Sequence, residues 1–201
     1  TALLGGTAMT APSLRRAVLP ADPTPALPFD ALASGTAWTT VLVPANPTAS
    51  AVEVRVLAVA ESTTANQVSL FVGPGSTPTA ASVACARTES VAGQVCELVL
   101  RREAGAPEVR YWALMQNVSA GLSGSDTLEL ELAAVTMVPV NRELVASGAA
   151  RLYNQPFLAR LGWDIPGLLP GQRRTGYLIV EAAPGGTVHH EPVRLHRTGA
   201  I

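Results

Sequence analysis

The sequence predicts an all-β fold, an antiparallel, jelly-roll-like β-sandwich with a second, smaller β unit after it. Three observations carry this expectation. Short apolar or alternating runs recur at regular spacing, turns rich in Gly, Pro, Ser and Asn separate them, and no segment shows a helical period. The clearest run is Leu128-Glu129-Leu130-Glu131-Leu132, which alternates without error and is expected to place leucines inward and glutamates toward water.

Residues 1–35 read as an irregular, Pro-rich linker or the tail of a preceding domain. Pro12, Pro20, Pro23, Pro25 and Pro28 interrupt any period and exclude a long helix. From Thr36 the character changes. Trp38 to Val43 reads as a strand that Pro44 and Pro47 stop. Ala51 to Val59 sets Val54, Val56 and Ala58 on one face and Glu53, Arg55 and Leu57 on the other, the period-two pattern of a half-buried strand.

Gln67 to Val72 is a third strand, running into the turn Gly73-Pro74-Gly75. Glu97 to Arg101, Val109 to Asn117 and Leu128 to Leu132 complete a first region, 36–138. Beyond Pro139, in 139–201, four further strands are expected: Glu143 to Ala146, Pro156 to Asp164, Thr175 to Val180, and Pro192 to Arg197. The turns Pro166 to Gln172 and Ala183 to Gly186 join them.

Apolar residues make up 48% of the 201-residue chain and charged residues 14%, the composition of a folded protein. A net charge of −1 supplies no attraction to nucleic acid or anionic lipid. All 14 basic side chains are arginine, for which a GC-rich genome is the simplest account. No apolar run approaches the ~18 residues that span a bilayer. The start at Thr1, with no methionine and no charged n-region, reads as a processed piece of a longer precursor.

Cys85 and Cys96 lie 11 positions apart and flank the polar stretch Thr88 to Gly93. Two independent buried thiols are one reading. A bridge across a hairpin-sized loop is the favoured one, and it would restrict the unfolded chain by about 2–3 kcal/mol. A bridge in turn implies an oxidising compartment, outside the cytoplasm. No histidine or acidic cluster sits nearby in sequence to make these thiols metal ligands.

The run from Ser69-Leu70-Phe71-Val72 through Gly75-Ser76-Thr77-Pro78-Thr79 and the two cysteines to Tyr111–Gln116 resembles the bacterial pre-peptidase C-terminal domain. The turn matches closely, while the first strand lacks that family's acidic residue. The tail, with Ala146 to Ala150, Pro156 to Trp163, Leu169 to Tyr177 and Pro192 to Leu195, resembles the fibronectin-III-like segment that closes many secreted subtilisin-like proteases. Together these resemblances imply the non-catalytic C-terminal accessory region of an exported bacterial serine protease. Its partners would be the cognate protease catalytic domain and protein substrate, with no cofactor.

Gly6-Thr7-Ala8-Met9-Thr10-Ala11-Pro12 is similar to the subtilisin nucleophile motif, Gly-Thr-Ser-Met-Ala-x-Pro, with Ala8 in the serine position. Alanine has no hydroxyl to deprotonate, so chance similarity and an inactive or partial protease are the alternatives. The helix expected after such a motif is also missing from the pattern.

Other candidate chemistry is thin. His189, His190 and His196 are the only histidines; His190 and His196 share strand parity, and no third ligand converges, so they read as solvent-facing and no metal site is expected. Gly121-Leu122-Ser123-Gly124 is a hairpin loop rather than a nucleophile elbow. Trp112 and Trp163 read as core, whereas Trp38, near a strand start, is the candidate binding residue. An exposed Trp38 would suit a free-standing adhesive or carbohydrate-binding module, the alternative function. Arg101-Arg102 and Arg173-Arg174 are solvated pairs or dibasic cleavage sites. Asn117-Val118-Ser119 fits a glycosylation sequon that carries no weight in a bacterial protein.

Overall fold

A computed structural model of the chain describes residues 2–29, 34–119, 124–140, 143–147, 160–181 and 188–198. Two units emerge, one formed by Pro12–Ala134 and the other by Thr1–Ala11 together with Val135–Ile201. Apart from one 3-10 turn, every regular element among the described residues is a strand.

In order, the strands up to the end of the larger unit are β1 (Ala2–Gly6), β2 (Ser13–Pro20), β3 (Thr36–Val43), β4 (Val52–Ser62) and β5 (Val68–Pro74). After the 3-10 turn Ala80–Ser82 come β6 (Cys85–Arg87), β7 (Gly93–Arg102), β8 (Val109–Asn117) and β9 (Ser125–Thr136). Strands β2 to β9 form two four-stranded antiparallel sheets, ordered β2-β9-β4-β7 and β3-β8-β5-β6. Strands consecutive in sequence mostly alternate between the sheets, the double Greek-key order of an eight-stranded jelly roll.

Alternation builds the core. Val54, Val56, Ala58 and Ala60 of β4 and Leu128, Leu130 and Leu132 of β9 face Val68, Leu70 and Val72 of β5 and Ala113 and Met115 of β8, all fully buried. The expected inward faces of β4 and β9 are therefore observed. The outward glutamates are only partly so: Glu131 is buried, and it pairs in register with Leu14 of the neighbouring edge strand β2.

Both open sides of the sandwich are closed. On one side Cys85 of β6 and Cys96 of β7 are joined, their Cα atoms 6.1 Å apart, so the disulfide links the edge strands of opposite sheets. On the other, β2 packs beside β3, and the Ser13 and Thr39 hydroxyls meet at 2.7 Å. At one end Asp126 is 3% exposed and accepts hydrogen bonds from Ser62 and Thr64. Burial works to raise this carboxyl, but hydrogen bonds from Ser62, Thr64, the Thr127 backbone and Asn66 outweigh it and hold it below its ordinary value.

The remaining strands are β10 (Leu144–Ser147), β11 (Arg160–Trp163), β12 (Arg173–Glu181) and β13 (Val188–His196). They give a three-stranded sheet ordered β1-β12-β13 and a two-stranded ribbon of β10 and β11. Buried Tyr177 and Ile179 of the central strand β12 and Leu144 of β10 supply apolar packing. The expected strand over Pro156 to Asp164 is described only from Arg160; its first part, residues 183–186 and residues 121–123 lie outside the described residues.

Residues 1–35 are a correction. Instead of an irregular linker they contain β1, an edge of the smaller sheet, and β2, an edge of the larger sandwich. Pro12 precedes β2 and Pro20 ends it, and an edge strand tolerates a missing amide donor, so these prolines bound a strand rather than forbid one. The unit boundaries shift accordingly, from 36–138 and 139–201 to the division above. Strand β6, three residues long, was too short to be read from the sequence.

Candidate functional site

The two outer faces of the sandwich differ in character. The face of β2-β9-β4-β7 carries charge: Arg55 meets Glu53 and Glu97, each at 2.8 Å, and Arg16 lies 3.5 Å from Glu129. The face of β3-β8-β5-β6 is apolar at its centre. Its register aligns three cross-strand rows: Thr36, Gln116 and Ser69; Trp38, Leu114 and Phe71; Thr40, Trp112 and Gly73. Phe71, Trp112 and Leu114 are nonetheless buried, because two segments fold across them, with Phe29 and Val83 packed against this cluster.

One covering segment is the 3-10 turn. Gly73 permits its close approach. A Cβ there would press into the Ser82 carbonyl and lie 2.6 Å from Cζ2 of Trp112. The Trp112 indole donates to the Pro74 carbonyl at 3.0 Å and to Ser82 Oγ at 3.3 Å, so its polar edge is satisfied while its rings are enclosed.

The other is a strap over residues 20–29. Asp22, 4% exposed, is its anchor. The Asp22 amide donates to the Asn117 carbonyl at 2.8 Å, and Gln116 Nε2 donates to Asp22 Oδ2 at 2.7 Å and to the Pro25 carbonyl at 3.1 Å. Asp22 Oδ1 accepts from the Thr24 amide at 2.8 Å, and Asn117 Nδ2 donates to the Leu19 carbonyl at 2.8 Å. Gly35, at φ +131°, lies so close that a Cβ would sit 2.6 Å from the Asp22 Cα. At the far end Phe29 sets its edge against Phe71, centroids 5.1 Å apart, and Trp112, 5.9 Å apart.

Between strap and sheet lies an open cleft of about 840 Å³, within the range of small-molecule sites. Pro25 to Phe29 form one wall, Phe71, Ser69 and Gln116 the floor, and Ala80, Thr88 and Val118 the remaining rim. No lining residue is charged. Ser69 is 4% exposed and Gln116 1%. Among the described residues, no group hydrogen-bonds the Ser69 hydroxyl, and Gln116 Oε1 accepts nothing although its Nε2 is fully engaged. The floor thus offers an unmatched hydroxyl beside an unmatched amide oxygen. Such an arrangement can hydrogen-bond a guest, and the cleft lining holds no nucleophile–base pair.

The expected site residues are dispersed. Trp38 is 44% exposed on the same outer face, one strand away from Leu114 and outside the cleft lining. Trp112 is core as expected. Trp163 is not: it is 58% exposed at the end of β11, a strand of a two-stranded ribbon. Ala8 is exposed in an extended segment whose neighbours bond along β12, Thr7 N to the Tyr177 carbonyl at 2.9 Å and Thr10 N to the Thr175 carbonyl at 2.8 Å. Strand β2 comes next in the chain, where a subtilisin nucleophile would begin a helix.

His189 and His196 are exposed and His190 half-buried on β13, and among the described residues no three His, Cys, Asp or Glu side chains converge as metal ligands. Asn117 of the sequon is fully buried and structural. Sequence reasoning missed the cleft altogether. The available signal was Asp22-Pro23-Thr24-Pro25, a turn-forming set that recruits backbone amides, with an isolated Phe29 beyond it.

No protein-family model matches this chain, and no curated protein matches it. Among the described residues, no helix is long and apolar enough to cross a membrane.

Proposed function

We propose that this chain is the non-catalytic C-terminal accessory region of an exported subtilisin-like serine protease, and that its sandwich holds protein substrate near the catalytic domain. One observation carries the reading: a jelly roll clamped by an inter-sheet disulfide presents a cleft whose lining carries no charged side chain. The disulfide suits an oxidising, extracytoplasmic setting. Resemblance of the Ser69–Gln116 region to the pre-peptidase C-terminal domain supplies the link to a protease. Holding substrate acts through effective concentration and requires no chemistry from the chain itself.

The test is reconstitution. A catalytic domain of this protease class, produced with and without this chain attached, is assayed on a protein substrate and on a short chromogenic peptide. Attachment is expected to lower KM for the protein substrate by about tenfold through effective concentration, leaving the short peptide unaffected. Equal KM values for the protein with and without the chain overturn the reading, as does peptide hydrolysis by the chain alone.

Trp38 favours a second reading, a carbohydrate-binding module. Its indole is half exposed on a sheet face beside Thr36 and Thr40, a flat aromatic flanked by hydroxyls. Retention on insoluble polysaccharide, lost in Trp38→Ala, would establish that reading instead.

A further inference from the structure

We infer that the cleft between the strap Pro25–Phe29 and the β5–β8 floor is a binding site for an uncharged, apolar peptide segment, with Ser69 and Gln116 taking the peptide's backbone groups. This rests on the accessory reading above and names the chemistry of the substrate it would hold.

Three features select that occupant. First, Ser69 Oγ lines the cleft with no internal hydrogen bond among the described residues, and it is open to the cleft rather than sealed in the core, so it is free to pair with a guest. Gln116, its direct cross-strand neighbour, adds a carbonyl oxygen that accepts nothing. Together they offer one donor and acceptor and one pure acceptor side by side, the complement of a peptide unit's N–H and C=O.

Second, the walls are Pro25, Leu27, Phe29, Phe71 and Val118, which take an aliphatic or aromatic side chain. Third, no charged side chain lines the space, so a carboxylate or ammonium would be desolvated there without a partner. The Asp22 carboxylate beneath the strap is already engaged by Gln116 and Thr24.

The experiment titrates the full chain with acetyl-Val-Leu-Val-amide and tracks backbone amide resonances by NMR. Expected are saturable shifts of the Ser69, Phe71 and Gln116 amides, with acetyl-Val-Glu-Val-amide binding more than about tenfold more weakly. Ser69→Ala is expected to weaken binding about 2- to 10-fold while leaving the unfolding midpoint unchanged or raised, since the hydroxyl it removes has no partner in the protein. Ala80→Trp, at an exposed rim position, blocks the cleft without entering the core and should abolish the shifts.

Absence of shifts at the three floor residues overturns the inference. So does equal binding of the glutamate peptide, an unchanged affinity in Ser69→Ala, or displacement of the same resonances by methyl glucoside and not by peptide. None of these bears on the reconstituted KM comparison, so the accessory reading stands or falls separately.

Discussion

Reducing the Cys85–Cys96 bond while leaving both residues in place isolates what the crosslink contributes. The bonded positions are separated by 11 residues. The loop-entropy relation then gives about 9 cal/mol/K, or about 2.8 kcal/mol at 25 °C. Spread over the unfolding entropy of a unit the size of Pro12–Ala134, ~2.1 cal/mol/K per residue, this lowers Tm by about 11 °C. Trp112, fully buried in this unit, is the reporter once Trp38 and Trp163 are replaced by phenylalanine.

Urea unfolding of the oxidised and the reduced protein, monitored by Trp112 fluorescence, should show the lower midpoint together with a somewhat larger m-value, because the freed denatured chain exposes more surface. A loss below about 1 kcal/mol would refute the reasoning. It would mean that the unfolded hairpin stays closed without the bond, or that the fold relaxes to compensate.

Three further outcomes rest on the geometry. Gly73→Ala should cost about 3 kcal/mol or more, because its Cβ meets a backbone carbonyl and the enclosed Trp112 ring; thermal unfolding with an unchanged midpoint would sink this. Asp22→Ala should release the strap before the sandwich, at a local cost of about 1.5–3 kcal/mol for lost hydrogen bonds to a charged group. Proteolysis within 20–29 should then accelerate while the far-UV circular dichroism of the sandwich is unaltered. The third concerns Asp126, whose carboxyl is held below its ordinary value in the fold. It therefore contributes stability that is complete above the unfolded carboxylate range, about pH 4, and is lost as pH falls toward the folded value. Urea midpoints measured from pH 7 to pH 3 should decline more steeply in the native protein than in Asp126→Asn. Parallel curves would contradict the assignment.

The sheet interior was legible in the sequence because its information is local. Leu128, Leu130 and Leu132 declare an inward face by alternation alone, and the even parity of Val54, Val56 and Ala58 does the same on β4. Strand β2 was hidden because its outward positions, Leu14 and Val18, are apolar and exposed, which erases the alternation, while prolines bracket it. Trp163 looked like core by composition, yet it ends β11, the outer strand of a two-stranded ribbon, and is 58% exposed while its cross-strand partner Leu144 is buried. The cleft was invisible for a different reason. Its parts meet only through long-range contacts: Asp22 reaches Gln116 across 94 positions, and Phe29 finds Phe71 and Trp112 only after the sheet exists.

The smaller unit is interrupted: the chain leaves it after Ala11 and re-enters at Val135. During synthesis, the first strand must therefore wait for its mate, since Ala2 aligns with Glu181. The jelly roll eases that wait. Once Ser13 has zipped against Leu132, the long excursion is pinched off at its neck and no longer counts as slack. By the logarithmic closure law this shortcut spares about 1 kcal/mol when Thr10 joins Thr175. Of the two orders of assembly, the one in which the inserted unit closes first therefore costs the interrupted unit less entropy.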